Sequence, residues 1–202
     1  MKTLKTLSVI LAVAILSMAS VSSFAQVDDT ETVTVTAILS TSLNLAVAGG
    51  GAVSFTFDEV SEYYDGIGDD LLTNHNVTIT STANWKLAVK ASGDFTDGTN
   101  TIHLDQLGLH TAYAGARADQ ASRTDIAPSV AAPLVPTTSD QIMLTNALMT
   151  ETNAGQGTDN VYTIYYEMGT KETGMNQTDM LEQDYEKSTY VTTLTYTLTE
   201  IL

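Results

Sequence analysis

Asn84-Trp85-Lys86-Leu87-Ala88-Val89-Lys90-Ala91 puts Trp85, Leu87, Val89 and Ala91 on one parity and Lys86, Ala88 and Lys90 on the other. A period of two is the signature of a strand with one face buried and one in water. The same alternation appears wherever one looks outward from this stretch. Upstream, Val33, Val35, Ala37 and Leu39 oppose Thr32, Thr34 and Thr36, and the sets Leu43, Leu45, Val47 and Val53, Phe55, Phe57 repeat the pattern before Val77 and Ile79. Downstream, strands are predicted over residues 102–109, 141–149, 161–168 and 190–198. In the last of these Tyr190, Leu194, Tyr196 and Leu198 share one face, and Val191, Thr193, Thr195 and Thr197 the other.

Turn residues separate the runs: Ala48-Gly49-Gly50-Gly51, the Asp97-Gly98 pair, and Gly155-Gln156-Gly157. Residues 179–187 read as a turn or two of helix. Residues 111–136, which hold both arginines and all three prolines, read as a long loop insertion. Short strands at this spacing predict an all-β, antiparallel β-sandwich or partly open barrel.

The start of the chain predicts a compartment. Lys2 and Lys5 precede an apolar run from Leu7 to Ala19 and a small-residue stretch ending Ser23-Phe24-Ala25, the pattern of a secretory signal peptide cleaved after Ala25. The run is too short for an ordinary membrane helix of ~20 residues, and no membrane span is expected after cleavage. Residues 26–202 then read as one domain, exported to the extracellular space or cell surface, or to the periplasm of a two-membrane cell. Cleavage at that point leaves six basic residues against 24 acidic ones. Such a balance argues against nucleic acid, whose phosphates demand a basic surface. It suits a soluble exported protein with a solvated, self-repelling surface. With no cysteine in the chain, neither disulfides nor a lipidated cysteine is available, and stability rests on an ordinary apolar core.

Two tripeptides, Trp85-Lys86-Leu87 and Tyr196-Thr197-Leu198, stand out. Val77-Thr78-Ile79-Thr80, then Asn84-Trp85-Lys86-Leu87-Ala88-Val89, then Asp94-Phe95-Thr96 and residues 102–109 resemble the first half of a WxL-type bacterial cell-surface domain. The threonine-rich stretch from Tyr190 to Thr199 resembles its closing strand, with Tyr196 where that family usually repeats tryptophan. The resemblance spans most of residues 30–202. It implies a β-rich exported domain that associates non-covalently with the cell wall, with Trp85, Lys86, Leu87, Tyr196, Thr197 and Leu198 as the candidate wall-binding motif.

Read from the residues, that motif has two meanings. Trp85 and Leu87 share the parity of the core-facing residues, so Trp85 fits the large core residue of a sandwich. Alternatively, Trp85 and Tyr196 form an exposed aromatic pair that stacks on sugar rings.

The acidic run at residues 58–70 reads as a solvated loop. Asp65, Asp69 and Asp70 would be its candidate calcium ligands, although the spacing is not that of an EF-hand. His75, His103 and His110 lack the helical spacing of a zinc pair, and no nucleophile elbow or phosphate-binding glycine loop is present. No cofactor, metal or catalytic residue is assigned. The expectation is a non-catalytic surface domain whose partners are peptidoglycan or another surface polysaccharide, or other surface proteins. The alternative is a structural subunit that joins copies of itself by β-strand pairing through its terminal alternating segments, residues 30–39 and 190–202.

Overall fold

The computed structural model describes residues 36–68, 74–116, 132–145 and 152–201. The chain divides into a unit of residues 1–38, of which 36–38 are described, and a unit of residues 39–202, whose fold follows. The signal segment expected at 1–25 lies outside the described residues. So do 30–35 of the first alternating run, Asp69 and Asp70, 117–131 of the expected insertion, and 146–149 of the strand expected to reach Met149.

Among the described residues nine strands, all paired antiparallel, build an all-β sandwich-like fold. They are β1 (Leu43–Val47), β2 (Asn74–Ser81), β3 (Trp85–Ala91), β4 (Phe95–Thr96), β5 (Thr101–Ile102), β6 (Leu107–Tyr113), β7 (Gln141–Thr145), β8 (Val161–Met168) and β9 (Leu194–Glu200), with a short helix α1 at Val60–Asp65. One sheet has the order β1-β2-β8-β6 and the other β7-β3-β9, while β4 and β5 form a small hairpin. The predicted parity is the observed one in β3, where Trp85, Leu87, Val89 and Ala91 are buried. Across from them Val77 and Ile79 of β2, Tyr162, Ile164 and Tyr166 of β8 and Leu107 and Leu109 of β6 complete the main apolar core, and Ile102, Met168 and Met180 form a smaller second cluster. Burying one such large side chain stabilises the fold by about 1.5–3 kcal/mol. A bulge opposite Leu87 and Ala88 lets Met143 and Leu144, neighbours on β7, both turn inward.

Several expectations are corrected. Residues 36–39 belong to no strand, and Ile38 and Leu39 are almost wholly in water, at 89% and 91% exposed. Residues 102–109 are broken by a tight turn at Leu104–Gln106, which ends the β4–β5 hairpin and starts β6. Thr111 to Tyr113, read as loop, continue β6 because they pair with Ile164 to Tyr162 of β8. From the same expected loop, Leu134 is bound to the free edge of β6 through Leu109. Tyr190 to Thr193 precede β9, and only Val191 of them makes a bridge, to Thr96.

The acidic run is not a plain loop. Glu59 caps α1 and Glu62 caps back: the backbone N–H groups of Asp58 and Glu59 donate to the Glu62 carboxylate at 2.7 and 2.9 Å. These two donors hold the Glu62 carboxyl below its usual pKa. Gly66 then turns the chain at φ 79°, with its Cα packed against the backbone of Gly169, where any Cβ would lie 2.3 Å from a carbonyl carbon. The Ile67 to Met168 bridge depends on that close approach. Among the described residues no three carboxylate, imidazole or thiol groups converge as a metal site would need, and no helix is long and apolar enough to cross a membrane.

Candidate functional site

The two tripeptides lie side by side on paired strands. In the β3–β9 ladder Leu87 faces Leu198 and Ala88 faces Thr197, but Trp85 is opposite Glu200 and Tyr196 is opposite Val89. The two aromatic residues therefore do not meet, and only one of them reaches a surface. Trp85 is fully buried and stacks edge-on against Tyr162, with ring centroids 5.8 Å apart. Leu87 is buried beside it, Lys86 is half-buried, and Thr197 is exposed on the outer face of β9.

Trp85 is held by a residue that the sequence did not single out. On its β7 side the last pair among the described residues is Lys86 with Thr145, and the side chain of Asn153 bonds the Trp85 backbone. Its Oδ1 accepts from the Trp85 backbone N–H at 2.9 Å and its Nδ2 donates to the Trp85 carbonyl at 2.9 Å. The Asn153 carbonyl in return accepts the indole N–H at 2.8 Å and an Asn160 amide at 3.0 Å. A buried amide that satisfies two backbone groups does what a strand neighbour would, because a buried backbone polar group left unpaired is costly. Trp85 is thus a core residue with every polar atom committed, and it offers no ring face to a sugar.

Tyr196 is different. It lines a cleft of about 500 Å³ along one side of the sandwich, between β9 and residues 51–55, with Phe95, Leu107 and Leu194 contributing apolar walls. The floor is polar and comes from three strands of both sheets. Tyr166 Oη of β8 lies 2.9 Å from His75 Nε2 of β2 and 2.5 Å from Tyr196 Oη. The His75 ring also lies 5.1 Å from that of Tyr166 and 6.2 Å from that of Tyr196. Burial pushes the His75 pKa below its ordinary value. Burial pushes the Tyr196 hydroxyl up to about 12, against the lowering effect of its bond to Tyr166, and raises Tyr166 further. All three groups are neutral near pH 7, and the floor is a hydrogen-bonded chain in an apolar wall that ends at His75 Nδ1, which is buried without a partner among the described residues.

Residues 53–57 form one lip of this cleft in an unusual way. Val53, Phe55 and Phe57 are half-buried while Ser54 and Thr56 are exposed, as in a strand, yet the segment has no ladder partner. Their backbone groups bond to no described residue. The opposite lip is the outer edge of β9, the last strand of its sheet.

The other two histidines have ordinary partners. His103 meets Asp94 at 3.0 Å in an exposed turn. His110 meets Glu167 at 2.8 Å on the outer face of the larger sheet, where the pair is buried and Thr170 donates to the second carboxylate oxygen. Lys171 binds Asp179 and the Tyr64 carbonyl and lies over the Tyr64 ring, fastening residues 171–179 to α1.

No family model matches the sequence, and no curated protein matches it.

Proposed function

We infer that this chain is an exported, non-catalytic structural subunit that joins copies of itself into an extracellular assembly by completing its open sheet edges. One observation carries the reading: an apolar cleft that reaches the core runs between β9 and residues 51–55, and neither the outer edge of β9 nor residues 53–57 have a strand partner among the described residues. A sandwich that leaves such a side open is a template for an added strand. The signal-like N-terminus, the absence of cysteine and the acidic composition support export, and the resemblance to WxL-type surface domains supports a place outside the cell.

Attachment to peptidoglycan or another polysaccharide is the second reading. It loses Trp85 as a contact, but the aromatic lining of the cleft, with Phe55, Phe95 and Tyr196, favours sugar stacking there. Size-exclusion chromatography with light scattering over a range of concentrations, run beside co-sedimentation with purified peptidoglycan, separates the two. Mass that grows with concentration is the expected result. A protein that stays monomeric at every concentration and pellets saturably with the wall would sink the subunit reading in favour of attachment.

A further inference from the structure

We propose that the cleft between β9 and residues 53–57 is filled by residues 30–39 of a second copy of this chain, added as a strand. The proposal rests on the subunit reading and names the occupant of the same site. The lips call for an extended backbone: among the described residues neither residues 53–57 nor the outer edge of β9 has a strand partner, and an added strand would supply one. The walls call for apolar side chains at every second position. A cavity of ~150 Å³ takes one benzene-sized group, so one of about 500 Å³ has room for roughly three.

Among the parts of the chain outside the described residues, only the first alternating run has that pattern at sufficient length. Val33, Val35, Ala37 and Leu39 share one parity, with Thr32, Thr34 and Thr36 on the other. Residues 117–131 contain Pro128 and two arginines and do not alternate, and residues 69–73 and 146–151 are too short. At the described end of the run, Ile38 and Leu39 stand in water, where bulky aliphatic residues gain nothing unless something covers them.

The donor is another molecule because the end of the run is not in its own cleft. Residues 36–42 contain no turn or bend. Ser42 exchanges bonds with Thr82, its N–H donating to Oγ1 at 2.8 Å and its carbonyl accepting from the Thr82 N–H at 3.1 Å. Thr41 donates to Glu200 at 3.0 Å. Just before these bonds Leu39, the end of the run, stands in water and lines no part of the cleft.

The test uses two variants of the exported protein, each checked for folding by circular dichroism. Val33→Asp/Val35→Asp puts charges on the donor parity, and Thr193→Arg puts a long charged side chain on the exposed cleft lip. Each alone is expected to self-associate at least tenfold more weakly than the wild type, while their mixture forms one-to-one dimers, since one keeps a working cleft and the other a working donor. Independently of Thr193→Arg, a synthetic peptide of residues 30–39 should bind the Val33→Asp/Val35→Asp protein saturably by calorimetry, and the same peptide with both aspartates should not. Undiminished assembly of the donor variant, a mixture that stays monomeric, or a peptide that does not bind would each overturn the donor assignment. If the wild type assembles and the donor variant assembles equally, the subunit reading survives and only the occupant is wrong. A wild type that never assembles removes both.

Discussion

Replacing Trp85 by alanine should cost this fold about 4 kcal/mol. The indole is fully buried, is packed edge-on against Tyr162, and donates its N–H to Asn153. Truncating a core tryptophan removes its transfer energy and leaves a void, and together these cost about 3–5 kcal/mol. The Asn153 carbonyl still receives the Asn160 amide, so no buried acceptor is stranded and the figure stays near the middle of that range. For a domain of this size each kcal/mol lowers Tm by about 2–4 °C, so the variant should melt roughly 8–16 °C below the wild type. Trp85→Phe retains an aromatic ring and loses the donor, and should fall by about 1–2 kcal/mol. Thermal denaturation followed by far-ultraviolet circular dichroism, repeated in urea, measures both. A Trp85→Ala protein that melts within about 2 °C of the wild type would show that the ring is not a core element and that its committed hydrogen bonds count for little.

Asn153→Ala leaves the N–H and C=O of Trp85 without their partners, and should destabilise by about 2–4 kcal/mol in the same urea experiment. His75 titrates below its usual 6.5 in the folded state, so as pH falls below about 6.5 the unfolded chain takes up a proton that the folded one refuses. Stability should therefore drop with acidification through that window and be unaffected by this group above it, and His75→Gln should flatten that part of a Tm-against-pH curve. Gly66→Ala meets both a positive φ and the backbone of Gly169, and should lose about 2 kcal/mol or more, with faster amide exchange at Ile67 and Met168. Glu167→Ala strands the buried His110 ring and should cost about 3 kcal/mol, whereas His103→Ala, at the exposed pair with Asp94, should change Tm by no more than a degree or two.

The strands that carry the core were legible because alternation reports which side chains go inward, and in β2, β3 and β8 the inward set is what the fold needs. The same signal misleads at residues 53–57, since a period of two records a half-buried face and says nothing of whether a neighbour supplies hydrogen bonds, and at 36–39, where the alternation has no buried face at all. The helix at 60–65 left a mark that was missed: Glu59 and Glu62 have the spacing of a capping box, and the surrounding acidic residues drew the reading toward a loop. The composition that follows Thr111 to Tyr113 points to a loop, but pairing with β8 outweighs it. The cleft floor was only partly legible. Tyr196 was singled out, but its partners His75 and Tyr166 come from two other strands, separated from it by 121 and 30 positions, and no local pattern joins them. Asn153 lies on no periodic face, and what marks it is its two bonds to the Trp85 backbone.

The chain has one tryptophan, and it is sealed in the middle of the sandwich at the far end of β3 from the cleft's Tyr196. Its emission should be blue-shifted and poorly quenched by iodide, and should redden only when the whole domain opens. The intrinsic fluorescence of this protein is thus a gauge of global unfolding and is blind to the cleft. A binding event there will pass unseen unless a reporter is placed on the lip.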